Sequence, residues 1–155
     1  KTNIAFLDVK FIIDNSNLGV FYGEKLKKIE NKNTPILKEK QSLLKDKEIE
    51  INNQKNILKP EQIELKVKEL NSLINDYKLI RSKFNQEISL KKKEYTDKIL
   101  SILNPILTNY VEKNNIDLVL EKKNILVGIK TLDITKELLD IFNAETQKLE
   151  IINDK

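Results

Sequence analysis

The segment IDLVLEKKNILVGIKTLDITKELL, residues 116–139, decides the fold because it interrupts a chain that otherwise reads as helix. Leu118 and Leu120 alternate with Asp117, Val119 and Glu121, as in one short strand. Ile125, Val127 and Ile129 alternate around Leu126 and Gly128 along a second. The residues 121–124 between them are typical of a turn. A two-stranded hairpin is marginally stable in water by itself. The segment is therefore expected to pair with another part of the protein.

The partner strand is predicted at the N-terminus. Residues 3–7 read as a short strand with Ile4 and Phe6 on one face, and Asp8 is placed to cap a helical turn over residues 9–13. The sequence DNSN at 14–17 predicts a turn, after which a long helix begins near Leu18. If the chain folds back on itself, three short strands meet at its two ends. Three short strands make a small core, so we expect several chains to share it.

Two long antiparallel helices are predicted between these ends. Pro60 is well placed to begin the second helix, which continues to about Lys113. Pro35 lies inside the first helix and predicts a kink or a short break, while Pro105 predicts a smaller bend, so both are candidate hinges. Apolar residues of the second helix follow a four-three spacing that is typical of a coiled-coil seam. These seam residues are Val67, Leu70, Ile74, Tyr77, Phe84, Ile88 and Tyr95, and the same spacing includes Arg81, Lys91 and Lys98, which are expected to extend their charges into water.

The predicted fold class is mainly α with a small β body and a long antiparallel helical hairpin, here called the arm. The expected boundaries place the body at residues 1–23 and 111–143, the arm at 24–110 with its tip near 57–63, and a loose polar tail at 144–155. A short closing helix is expected over residues 136–142.

The composition excludes several classes of enzyme. The chain has no Cys and no His, so a thiolate nucleophile, a histidine general base and a Cys/His zinc site are impossible. Its 3 glycines do not form a phosphate-binding loop. We therefore expect no catalysis, no cofactor and no metal. No apolar run approaches the roughly 18 residues that a membrane-spanning helix needs.

The positive charge of the chain lies on the arm. Residues 24–110 carry 19 Lys and Arg against 13 Asp and Glu, a net charge of +6. This surface could attract acidic unfolded chains and anionic lipid headgroups, or it could be a helical face that lysine keeps solvated. For the run Lys91, Lys92 and Lys93 the solvated face is the more typical interpretation. Nucleic-acid binding is not expected, because aromatic residues do not interleave with the basic ones and no known motif is present.

The two ends of the chain resemble the Skp/OmpH family of periplasmic chaperones. The resemblance rests on NIAFLDVKFIIDNSNLG at 3–19, on Asp117 followed by Leu-Val-Leu at 118–120, and on Asp133-Ile134-Thr135 before the last helix. It covers residues 3–143, and Pro35 and the twelve-residue tail depart from the family pattern. The resemblance implies a jellyfish-shaped homotrimer whose arms enclose a cavity, and which holds unfolded outer-membrane proteins in the periplasm without ATP. Prefoldin also combines coiled-coil arms with a β body, but its strands lie between the helices, whereas here they lie at both ends of the chain. This order of elements disfavours prefoldin.

The resemblance also suggests roles for particular residues. The trimer body would include Ile4, Phe6, Leu118, Leu120, Ile125 and Val127. Contact with unfolded client proteins would involve the arm tip and the lysine run, that is Ile57, Leu58, Ile63, Lys91, Lys92 and Lys93, although ordinary packing explains the tip equally well. The alternative function is that of a structural coiled-coil spacer or scaffold without chaperone activity.

Overall fold

The computed structural model describes residues 1–153 and is mainly helical, as predicted. A short strand β1 (Ile4–Leu7) is followed by helices α1 (Val9–Asn15), α2 (Asn17–Gln54) and α3 (Pro60–Lys113), strand β2 (Leu118–Glu121) and helix α4 (Thr135–Lys148). Short 3₁₀ turns occupy Lys122–Asn124, Lys130–Leu132 and Ile151–Asn153. By contact the chain divides into two compact units, Lys1–Lys25 with Lys92–Lys155 and Leu26–Lys91, which we call the first and second units.

Capping residues set the sharp turns at the N-terminal end. The side chain of Asp8 accepts a hydrogen bond from the Phe11 N–H at 3.0 Å, so Asp8 caps α1 as its sequence position predicts. The Ser16 hydroxyl accepts from the Gly19 N–H at 3.0 Å in the first turn of α2. A Cβ atom on Gly19 would lie 1.9 Å from the Ile13 carbonyl oxygen, so only glycine allows α1 and α2 to approach this closely.

The two strands pair in parallel, with Ile4 opposite Leu118 and Phe6 opposite Leu120. The expected pairing of the N-terminal strand with residues 118–121 is therefore confirmed. The predicted hairpin between 118–121 and 125–129 is wrong within this chain, because residues 125–129 belong to no strand.

The route of the chain explains why the hairpin does not form. After β2 the chain crosses to the opposite edge of β1, where Asp133 forms a bridge with Phe6 and the Ile134 N–H donates to the Phe6 carbonyl at 3.0 Å. A hairpin would have returned the chain along the outer edge of β2, about three strand spacings from that position. Residues 125–132 make the crossing instead, and their first part, 125–129, is called the crossing segment below. The backbone is extended at Ile125 and Ile129 but lacks a ladder partner in residues 1–153.

Helices supply most of the core of the first unit. The fully buried large residues are Leu7, Ile12, Leu18, Ile99, Leu103, Leu138 and Phe142. One side of the sheet packs on this cluster through Ala5, Leu7 and Val119. The expectation that three strands form the core underestimated it, because α1, the ends of α2 and α3, and α4 all contribute.

Helix α2 is continuous through Pro35, so of the predicted kink or short break the break is wrong, and the kink stays a prediction. Pro35 lacks the N–H that would bond to the carbonyl four residues earlier, that of Asn31. The neighbouring Thr34 hydroxyl donates to the preceding carbonyl, that of Glu30, at 2.8 Å. Helix α3 likewise includes Pro105. The second helix begins at Pro60 and ends at Lys113, as predicted.

The closing helix is longer than the predicted residues 136–142. The prediction of a loose tail is wrong for residues 144–153, the part of that tail that the structure describes. Helix α4 continues to Lys148, Thr146 is fully buried, and Ile151 and Ile152 pack against the core. Thr146 satisfies its hydroxyl by donating to the Phe142 carbonyl at 2.9 Å, and thus occupies an inward position in spite of its polarity. The last two residues of the predicted tail, 154 and 155, lie outside the described part.

Candidate functional site

A hydrogen-bond network holds the two strand ends and the start of α4 together. The Asp133 carboxylate accepts from the Thr135 N–H at 2.9 Å and from the Thr135 hydroxyl, and its other oxygen lies 3.1 Å from Lys122 Nζ. The Thr135 hydroxyl in turn accepts from the Asp8 N–H at 2.9 Å. Burial by itself would raise the pKa of Asp133, but the hydrogen bonds from Thr135 and the nearby Lys122 charge lower it below its usual value. This network explains the Asp-Ile-Thr sequence structurally.

The side of the sheet that faces away from the core is apolar and accessible. Ile4, Leu118 and Leu120 lie on it and remain exposed, whereas their neighbours Ala5 and Leu7 point into the core. We call this surface the outer sheet face. Of the six residues predicted for a trimer body, these three therefore share one accessible surface.

The other three predicted body residues lie in different surroundings. Phe6 is buried, because the crossing segment 125–129 covers its ring at Gly128, where a Cβ atom would lie 3.0 Å from Phe6 Cε1. Ile125 is half-buried, while Val127 is 93% exposed. The fully exposed Leu126 beside it was not among the candidates. It is an apolar residue on the outward side of the predicted alternation, and this was the signal that could have identified it.

In the arm, most of the predicted seam residues of α3 are half-buried. They are Leu70, Ile74, Tyr77, Phe84 and Ile88, all in the second unit, while Tyr95 belongs to the first. Two positions differ from the predicted spacing: Val67 is exposed while Lys66 is half-buried, and Arg81 is exposed while Ile80 is half-buried. Leu70 and Phe84 lie at the predicted spacing again, so these two positions are local departures from the seam.

Specific contacts join α2 and α3 in each unit. In the first unit the rings of Tyr22 and Tyr95 stack with centroids 4.2 Å apart. Burial, and to a smaller extent the proximity of Tyr95 and Glu94, raises the pKa of Tyr22. In the second unit Lys66 Nζ lies 2.9 Å from Glu50 Oε1, and this ion pair lowers the pKa of Glu50.

The structure separates the residues predicted to contact clients. At the tip Ile57 is 80% exposed, whereas Leu58 and Ile63 are half-buried. In the lysine run Lys91 is half-buried, Lys92 is exposed, and Lys93 pairs with Asp97 at 2.5 Å. The candidate hinges Pro35 and Pro105 are both on exposed sides of their helices.

Sequence reasoning missed a set of leucines outside the seam. Leu65, Leu79 and Leu90 of α3 are each more than half exposed, and Leu90 lies at one end of an open groove on the same helix. The signal available in the sequence was an apolar residue at a position that the four-three spacing leaves outward.

Among residues 1–153, no group of three or more acidic side chains is placed to hold a metal ion. Within the same range, no helix combines the length and the apolar character that crossing a bilayer requires.

Comparison with known proteins gives a family and a fold. The model of the family described as "Outer membrane protein (OmpH-like)" matches residues 3–142. A Caulobacter crescentus CB15 protein whose crystal structure is described as that of "a putative outer membrane chaperone (OmpH-like)" has the same fold, with a TM-score of 0.71 at 13% identity, covering 94% of this chain and 86% of that one. No curated protein matches the sequence significantly.

Proposed function

Because the chain belongs to the OmpH-like outer membrane protein family, we propose that it is a periplasmic chaperone that holds unfolded outer-membrane proteins without ATP and prevents their aggregation. The observation that carries this proposal is the family match, which spans residues 3–142 and thus includes both strands and both long helices. The description of the Caulobacter protein as a chaperone supports the same function.

Assembly into a homotrimer is part of the proposal. In a single chain the outer sheet face and the crossing segment 125–129 leave Leu118, Leu120, Leu126 and Val127 accessible to water. Exposed apolar residues that lie together on a body are typical of surfaces that another protein covers. Three copies joined there would place three arms around a common cavity for the client.

The arm would contribute many weak contacts rather than one pocket. The second unit, residues 26–91, carries 15 Lys and Arg against 10 Asp and Glu, a net charge of +5. Apolar side chains such as Ile57 are exposed among these charges. Several weak contacts made together give useful affinity for unfolded chains, and the basic surface favours acidic clients and anionic lipid headgroups.

An aggregation assay tests the function. An outer-membrane β-barrel protein is diluted from urea with and without the chain, in the absence of ATP, and light scattering is followed. We expect scattering to be suppressed at a molar excess of trimer, and the mass in solution to increase by one client. A coiled-coil spacer would leave the scattering unchanged, and that result would reject the proposal.

A further inference from the structure

An open groove of about 650 Å³ follows one side of α3 from Lys78 to Leu90 in the second unit. Its side chains change in character along the helix. Lys78 and Arg81 lie at one end, Ser82, Asn85, Gln86 and Ser89 occupy the middle, and Leu90 lies at the other end. The groove thus combines a cationic end, a hydrogen-bonding floor and an apolar end on one helix face.

The cationic end of the groove, formed by Lys78 and Arg81, has no ionic partner in the described part of the chain. Within residues 1–153 neither Lys78 nor Arg81 forms an ion pair, and the lining contains no carboxylate. A bound group with a negative charge would therefore meet two cations without displacing an existing partner. An acidic side chain is the complementary group in a protein ligand.

The floor suits a polypeptide backbone. An extended chain without a neighbouring strand presents unpaired N–H and C=O groups at every residue. Serine hydroxyls and the side-chain amides of Asn85 and Gln86 can both donate and accept hydrogen bonds. They can therefore serve either backbone group, whatever the sequence of the bound chain.

The apolar end and the length complete the match. Leu90 is 69% exposed, so a client side chain that covers it removes apolar surface from water. The twelve helical steps from Lys78 to Leu90 correspond to about 18 Å. An extended chain covers that distance in about five or six residues.

Building on the proposed chaperone function, we infer that this groove binds an extended segment of about six residues of an unfolded client, with an acidic side chain at Lys78 and Arg81 and an apolar side chain at Leu90. Selectivity follows from this order of groups. Client segments with an acidic and an apolar residue at the two ends bind in the groove, and basic segments do not.

Matched substitutions in the full-length protein test the inference. The probe is a fluorescein-labelled acidic outer-membrane β-barrel protein diluted from urea, and the affinity is measured by anisotropy. We expect Leu90→Ser to weaken binding about fivefold, since most of one leucine loses its apolar contact. Leu65→Ser is the control, because Leu65 is 64% exposed on the same helix but lies outside the groove, and its effect should stay below about twofold. Lys78→Gln combined with Arg81→Gln should weaken binding and reduce its dependence on salt.

Site-specific crosslinking locates the client independently of affinity. A photoreactive side chain at Asn85 should crosslink to the client, whereas one at Lys83, about 200° away around the helix, should not. Equal effects of Leu90→Ser and Leu65→Ser, together with equal crosslinking at the two positions, would show that the groove is not the binding site. The proposed chaperone function would be unaffected by that result. A wild-type protein that binds no unfolded client would overturn both. Anionic vesicles that require Lys78 and Arg81, with client binding unchanged in the same variant, would assign the groove to lipid and overturn the inference.

Discussion

If the chain assembles as proposed, replacing Val127 by Asp should separate the trimer into folded single chains. Val127 is 93% exposed in the chain, so a carboxylate there meets water and should change the stability of the isolated chain by less than about 0.5 kcal/mol. The core of the first unit, which includes Ile12, Leu103 and Phe142, does not involve this position.

The same substitution is costly if Val127 is covered in a trimer. Burying a valine side chain contributes about 2 kcal/mol, which the variant loses. An uncompensated buried charge costs a further 3–5 kcal/mol, roughly. Together these two costs amount to about 5 kcal/mol or more for each site, which corresponds to a weakening of association by more than about a thousandfold. Three symmetric sites would add to this effect.

Multi-angle light scattering after size exclusion measures the outcome at micromolar concentration, and circular dichroism measures the helix content. We expect three times the chain mass for wild type and one times the mass for Val127→Asp, with equal helix content. Ile57→Asp is the control, since Ile57 is 80% exposed in the other unit and should leave the mass unchanged. An unaltered mass for Val127→Asp, or a monomeric wild type, would refute the reasoning. Loss of helix on dissociation would show that the single-chain core is insufficient.

Three further predictions follow from the core, the hydrogen-bond network and the helical proline. Phe142→Ala should lower the free energy of unfolding by about 3–5 kcal/mol in urea titrations, because Phe142 is fully buried; a loss below about 1 kcal/mol would contradict that packing. Asp133→Asn should destabilise at pH 7, and the loss of stability should become smaller as the pH falls below about 4. The folded-state pKa of Asp133 is lowered, so its contribution is complete above the unfolded pKa of about 4 and disappears as pH falls through the folded value; a constant difference across pH would exclude this cause. Pro35→Ala should increase the free energy of unfolding by up to about 3 kcal/mol, which raises the urea midpoint. It should also make α2 stiffer in relaxation measurements. An unchanged midpoint would mean that the helix tolerates Pro35 without cost, and the hinge prediction would lose its basis.

The sequence predicted the long helices well because their signals are local. Pro60 favours a helix start, Asp8 favours a cap, and the four-three spacing of α3 reports a continuous inward face over many turns. Each of these signals depends on residues within a few positions of one another. The bounds of α3 at Pro60 and Lys113 could therefore be predicted from the chain alone.

The strands were harder to predict because alternation identifies the faces of a strand but not its partner. Residues 125–129 alternate as a strand does, yet Asp133 must reach the far edge of β1, and this requirement appears only in three dimensions. Thr146 shows the complementary problem, since it lies in the tail that polarity predicted to be loose, although its hydroxyl is satisfied by the helix backbone. Of the groove residues only Arg81 was named, as a seam position, because seam analysis considers the inward positions of a helix and the groove lies on an outward side.

The inward side of α2 explains how the second unit can combine order with adaptability. Of residues 26–91 only Asn33 is buried, and the half-buried positions of α2 include Lys40, Lys47 and Gln54 as well as apolar residues. Asn33 Nδ2 and Gln54 Oε1 are buried without a hydrogen-bond partner in the described chain, at a cost of about 1–3 kcal/mol each. The second unit therefore has little of the close apolar packing that makes the first unit rigid. Helices held by partial burial and by ion pairs such as Lys66–Glu50 can shift against each other at small free-energy cost, which suits the proposed contact with unfolded chains of different size and sequence.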